Sequence, residues 1–207
     1  MKKTILAFMA LLMVSFGARA QETKTLPEPN KDVPMTLMQA LQQRHSVREF
    51  SEQEITDQQL SQILWAACGV SRPEKKMITA PSAGNRQDIH VYVCGKDGAW
   101  LYEPFTNTLK KVSSEDLRAV NAGRQESVKY APLSLVLVSD QSNADHLDTN
   151  LGNVDAGYVS QNIYLASTAL GLATVARGFM DKATVAKALN LGDKQLLVLN
   201  HPLGYAK

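Results

Sequence analysis

Two cysteines among 207 residues are too few to staple a fold, so Cys68 and Cys94 do not describe a disulfide scaffold. In an oxidising compartment they could pair with each other; two buried free thiols are the preferred reading. The four histidines, His45, His90, His146 and His201, are scattered without HxxxH or HExxH spacing, which argues against a metal site. No Gly-x-Ser-x-Gly occurs, and Gly152 to Gly157 is not a GxGxxG, so neither a hydrolase elbow nor a Rossmann site is indicated. An excess of charge of either sign is missing as well. Lys and Arg number 22 against 20 Asp and Glu, a formal net charge of +2. Three of the cations, Lys2, Lys3 and Arg19, lie in the first 20 residues, so the remainder carries about −1. Such a balance gives no reason to expect nucleic acid or an anionic membrane as partner.

What is present begins with a leader. Met1-Lys2-Lys3 supplies a positive start, Ile5 to Phe16 an apolar run, and Ala18-Arg19-Ala20 the small residues that a signal peptidase inspects. The run is short for a membrane span, and no Cys follows it for lipidation. The expectation is cleavage after Ala20 and a soluble protein in the periplasm or outside the cell, with no membrane insertion afterwards. An uncleaved anchor or a buried core helix is the alternative. Residues 21–35 are polar and carry Pro27, Pro29 and Pro34, which reads as a flexible leader. Residues 36–207 then form one domain, large enough for a real core.

Within that domain Thr36 caps a helix whose Leu37, Ala40 and Leu41 share a face, ending near Arg44-His45-Ser46. Thr56 and Gln59 form a capping box ahead of Leu60, Ile63, Leu64 and Ala67. Ile89, Val91 and Val93 alternate with His90, Tyr92 and Cys94 as in a half-buried strand. Lys96-Asp97-Gly98 turns the chain and Trp100-Leu101-Tyr102 returns as the second arm of a hairpin. Ser113 to Asp116 opens a short helix, and Leu133 to Val138 is a nearly unbroken apolar run suited to a central strand. Val154 to Leu172 reads as a long helix apolar on more than one face, which places it in a core or at a subunit interface. Asp181 caps another helix, and Leu196 to Leu199 forms a last strand. Helices mixed with hairpins predict an α+β fold.

Two segments carry chemistry. In Arg44-His45-Ser46-Val47-Arg48-Glu49-Phe50, two arginines four apart at a helix end can turn toward one anion, and Ser46 adds a hydroxyl. Alone, this segment reads better as an exposed basic helix end. In Thr79-Ala80-Pro81-Ser82-Ala83-Gly84-Asn85-Arg86-Gln87, small residues let a planar ligand approach the backbone, and Asn85 can donate and accept at one heteroaromatic edge. In this order the pair resembles the two motifs of the FMN-dependent nitroreductase superfamily. Trp100-Leu101-Tyr102-Glu103, Ala131-Pro132-Leu133, Ala156 to Asn162, Arg177-Gly178-Phe179 and Pro202 to Tyr205 continue the resemblance, which is nearest to the SagB-type dehydrogenase branch and runs from Leu37 to the end.

The resemblance implies a central, mainly antiparallel sheet flanked by helices in an intertwined homodimer. It implies that Arg44 and Ser46 hold the FMN phosphate, His45 lies along the ribityl chain, and Arg48 reaches the pyrimidine edge of the ring. Ser82 and Asn85, with Pro81, Ala83 and Gln87 around them, contact the flavin from the partner subunit. Backbone amides near Arg177 and Gly178 face N5, the hydride-accepting atom; no catalytic side chain is implied. The chain stops at Gly204-Tyr205-Ala206-Lys207, where the family often ends Gly-Tyr-Pro with a basic tail, so Lys207 takes the place of the last phosphate contact. Asp155 stands where Glu is common in the branch.

The expected activity is a ping-pong oxidoreductase acting on a small organic substrate. An exported enzyme meets little NAD(P)H, so the electron donor stays open. The SagB-type branch suggests, by analogy, oxidation of a small molecule or peptide with oxygen or a quinone as acceptor. The rival is a non-catalytic exported flavin-binding protein that kept the scaffold; retention of both arginines, Ser46 and Asn85 favours the enzyme.

Overall fold

The computed structural model describes residues 21–144 and 148–207; the leader expected at 1–20 and His146 lie outside them. Helix α1 (Leu37–Gln43) and helix α2 (Asp57–Cys68) start where the sequence places them, each by a complete capping box. Thr36 and Thr56 accept the amides of Gln39 and Gln59, whose side chains accept the threonine amides in return. Four donors that a helix end would leave orphaned are thereby satisfied.

Beyond α2, β2 (Val70–Arg72) and β3 (Met77–Ile78) make a small separate hairpin. Strands β4 (Ile89–Gly95) and β5 (Gly98–Glu103) form the expected hairpin. Its turn requires glycine: Gly98 has φ +119°, and a Cβ there would sit 2.2 Å from the Ser113 carbonyl oxygen. Strand β6 (Thr108–Ser113), which the sequence reading did not separate, pairs with β5. Helix α3 (Arg118–Ala122) starts later than Ser113 to Asp116 suggested. Asp116 uses its carboxylate on the Arg118 guanidinium, 2.7 Å away, and on the Arg118 amide.

Strand β7 (Leu133–Asp140) precedes α4 (Thr149–Ala169), which begins earlier than Val154 because Asp148 accepts the Leu151 amide as N-cap. The chain closes with β8 (Ala173–Thr174), α5 (Lys182–Ala188) capped by Asp181, and β9 (Gln195–Gly204).

At the other end of the chain β1 is Thr23–Thr25. Seven strands join in the order β1-β6-β5-β4-β7-β9-β8, every pairing antiparallel, so the fold is α+β as expected. Strand period 2 divides the apolar residues between two cores. Val91, Val93, Leu135 and Leu137 meet Ile63 and Leu64 of α2 and Val159 and Ile163 of α4. Tyr92, Cys94, Val136 and Val138 meet Leu117, Val185 and Leu189 on the opposite face. Cover on both faces explains why β7 is apolar at successive positions from Leu135 to Val138. Burying each such side chain contributes about 1.5–3 kcal/mol.

One expectation changes. Residues 21–35 were read as a flexible leader, yet Thr23–Thr25 add a strand to β6 and Leu26 is buried. The prolines remove backbone donors but leave carbonyls, and these are taken up. Ser61 donates to Pro27 O at 2.5 Å, Gln58 to Glu28 O at 2.9 Å and Gln62 to Asn30 O at 2.7 Å. Cys68 and Cys94 are free and buried in the two different cores, and burial pushes both thiols up to about 12.

Candidate active site

The segment from Arg44 to Phe50 leaves α1 extended and is clamped on both sides. Its Val47 amide donates to Thr174 O in β8 at 3.1 Å, Phe50 bridges Ala206, and the Lys207 amide donates to Glu49 O at 3.2 Å. Phe50 is buried and holds the segment, which leaves Arg44, His45, Ser46 and Arg48 partly or fully exposed. The Arg44 guanidinium rests 5.0 Å from the centre of the Tyr164 ring, and Ser46 Oγ lies 2.8 Å from Tyr164 Oη. His45 directs Nδ1 to Gln43 O at 2.8 Å. Among the described residues Arg44, Arg48 and Lys207 have no ion-pair carboxylate. Unneutralised cations gathered on one segment and the chain end beside it suit a phosphate dianion.

The second segment is a tight loop. Gly84, Asn85 and Gln87 take φ of +58°, +55° and +51°. Ser82 Oγ accepts the Gln87 amide at 2.8 Å, and Gln87 Nε2 donates to Lys76 O at 2.9 Å and Asn85 Oδ1 at 3.2 Å. The Ala83 amide is gripped by both carboxylate oxygens of Asp155, at 3.1 and 3.0 Å. Ser82, Ala83 and Gln87 thus spend these groups within the protein, while Pro81 and Asn85 are exposed.

Asp155 was legible only as a departure from a pattern; the structure gives it a task. It is 2% exposed, with Arg86 at 3.8 Å and the Asp88 carboxyl beside it. Burial, and then Asp88, hold its carboxyl above the usual carboxylate range against the lowering effect of the Ala83 amide. Asp88 in turn accepts from Ser139 Oγ at 2.7 Å. One helix therefore anchors both segments, the loop through Asp155 and the basic segment through Tyr164. Nine residues of helix separate these anchors by about 13.5 Å, and within one chain the two segments share no hydrogen bond.

The third expected group needs a correction. Arg177 was placed with Gly178 among the amides facing the ligand, but its amide donates to Asn200 O at 2.9 Å and its carbonyl accepts from the Asn200 amide at 2.7 Å. Its guanidinium turns inward. It donates to Gln125 Oε1 at 2.6 Å, Asn121 O at 2.9 Å, Asn200 Oδ1 at 3.0 Å and Ala122 O at 2.7 Å. Pairing with β9 consumes the Arg177 backbone, so the exposed Gly178 amide, which has no partner among the described residues, is the available donor. No sequence signal joins Arg177 to Gln125 or Asn200, because such pairings depend on distant chain positions.

Behind the basic segment lies a buried polar trio. His201, fully buried, has Nε2 at 2.8 Å from Ser160 Oγ and Nδ1 at 3.1 Å from Thr174 Oγ1. Thr174 donates its proton to Pro202 O at 2.8 Å, so Nδ1 carries the imidazole proton and Nε2 accepts from Ser160. Burial pushes His201 down to about 3. Tyr164 meets its ring edge-on at 5.4 Å.

Comparison with known proteins agrees with this arrangement. The Nitroreductase family model matches residues 41–205. A protein of Methanocaldococcus jannaschii named as a nitroreductase is 30% identical over 181 residues, covering 81% of this chain and 90% of its own. A nitroreductase crystal structure from Ralstonia eutropha is 34% identical with a TM-score of 0.84, over 89% of this chain and 90% of that one. A nitroreductase from Desulfovibrio desulfuricans, solved in complex with FMN, shares the fold at TM-score 0.62 and 23% identity, over 83% and 87% of the two chains. The chain belongs to the nitroreductase family, and with it to the oxidoreductases.

Proposed function

We propose that the chain is an exported FMN-dependent oxidoreductase that works as a homodimer on a small organic substrate. The observation that carries the proposal is the pair of arginines, Arg44 and Arg48, on one clamped segment, neither with a carboxylate partner among the described residues. FMN, when bound, supplies at N5 a centre that takes up and gives back hydride, so donor and acceptor can react in turn in a ping-pong cycle. Arg44, Ser46 and Lys207 bind the phosphate, and His45 flanks the ribityl chain. Arg48 favours negative charge at the pyrimidine edge. The Gly178 amide would be the donor available to N5. Ser82 and Asn85 of the partner subunit close the site. Two observations support a two-chain site: the separation of the two segments along α4, and an exposed apolar stripe. The stripe comprises Leu37, Met38 and Leu41 of α1 with Val154 and Tyr158 of α4, all at least 45% exposed in the single chain. An exported setting favours a hydride taken from the substrate itself, with oxygen or a quinone as final acceptor, over NAD(P)H.

One preparation tests these points. The full chain is expressed in a host with a periplasm, and the purified protein is analysed by intact mass and visible absorption, with chromatography of any released flavin. The expected result is a chain starting at Gln21 that carries FMN, reduced only slowly by NADPH or NADH under anaerobic conditions. A colourless protein that also refuses added FMN would sink the flavin reading. Bound FMN that no donor reduces would make the protein a flavin binder.

A further inference from the structure

Tyr164 lies on the inner side of α4, 8% exposed, and its hydroxyl joins two parts of the site that are far apart in sequence. The Ala176 amide donates to Tyr164 Oη at 2.8 Å, and Ser46 Oγ lies 2.8 Å from the same oxygen. The Tyr164 hydroxyl has one proton to give, and Ser46 Oγ is its one acceptor within reach among the described residues, so that proton goes to Ser46 Oγ. The serine then has its own proton left to donate outward. The result is a one-way relay from the Ala176 amide through Tyr164 to Ser46, each bond polarising the next toward an anion. The same ring carries the Arg44 guanidinium on its face, at 5.0 Å from the centroid. The phenol cannot swing away, because His201, locked by Ser160 and Thr174, meets the ring edge-on at 77°.

We infer that Tyr164 is a positioning residue for the phosphate group of the ligand: it sets Ser46 as a donor, seats Arg44, and ties both to the segment after β8 that leads to the Gly178 amide. The inference rests on the flavin reading above and goes beyond it, since it gives a role to a residue outside both motifs.

The test compares FMN with riboflavin, which lacks the phosphate, by fluorescence titration of the wild-type protein, Tyr164→Phe, Ser46→Ala and the double variant. Tyr164→Phe keeps the ring and its packing and removes only the hydroxyl. The expected result is FMN affinity weakened about tenfold and riboflavin affinity changed by less than about twofold. The double variant should lose little beyond Ser46→Ala alone, because both substitutions remove the same donor. Equal weakening of both flavins would overturn the inference, as would full additivity in the double variant. A Tyr164→Phe protein unfolded at room temperature would do so too, since the hydroxyl would then be holding the fold rather than the phosphate. A wild-type protein that binds neither flavin removes the flavin reading and this inference together, a result distinct from unchanged FMN selectivity in Tyr164→Phe.

Discussion

At the scale of single residues, His201 shows how a buried group writes itself into stability. Its neutral imidazole is satisfied by Ser160 and Thr174, and a second proton would place a full charge in a buried site with no carboxylate beside it among the described residues. Burial has pushed it from the ordinary 6.5 down to about 3. Because the folded state resists the charged form, the stability contribution is complete above pH 6.5. It is lost progressively as pH falls toward 3. The full span corresponds to roughly 5 kcal/mol. Urea melts at pH 7, 5.5 and 4 should therefore show a falling free energy in the wild-type protein, and His201→Gln should be less stable at pH 7 but lose less on acidification. Equal acid slopes in the two proteins would assign the loss to other groups.

Secondary-structure elements depend on such residues for their placement. Helix α3 is short, lacks a side-chain cap, and hangs from the Arg177 guanidinium through Asn121 O, Ala122 O and Gln125. Arg177→Met would leave two buried carbonyls and Asn200 Oδ1 without their donor. The expected cost is about 3 kcal/mol or more, with amide exchange in 118–130 accelerated ahead of the rest of the protein. Flavin affinity should fall less than it does for Arg44→Met, since the Arg177 side chain points into the protein and not toward the ligand. A variant with wild-type stability and no flavin binding would restore a direct role for Arg177.

The whole molecule poses a problem that one chain does not solve. Arg44 to Arg48 and Pro81 to Gln87 are anchored about 13.5 Å apart along α4, and the apolar stripe of α1 and α4 is uncovered. A second copy would cover the stripe and bring its own loop to the basic segment. Val154→Glu places a charge on the stripe, at a position 51% exposed in the single chain. It should shift sedimentation from a two-chain to a one-chain mass and weaken FMN binding in parallel. A one-chain variant that keeps FMN affinity would show that each chain holds a complete site.

What the sequence determined by itself was local or periodic. The Thr36 cap and the Thr56–Gln59 box lie within four residues of sequence, the β4–β5 hairpin follows from alternation and a glycine turn, and the ordered motifs identified the family. Tertiary structure alone decided the pairings between distant residues. Asp155 grips the loop at Ala83, Tyr164 reaches Ser46, Arg177 spends its amide on Asn200, and the proline-rich residues 26–30 are tied to α2 and Asn107. No spacing rule covers contacts of this kind, because buried polar groups take whichever partner the packed elements bring within reach. Those partners settle which atoms of a recognised motif remain free to meet a ligand.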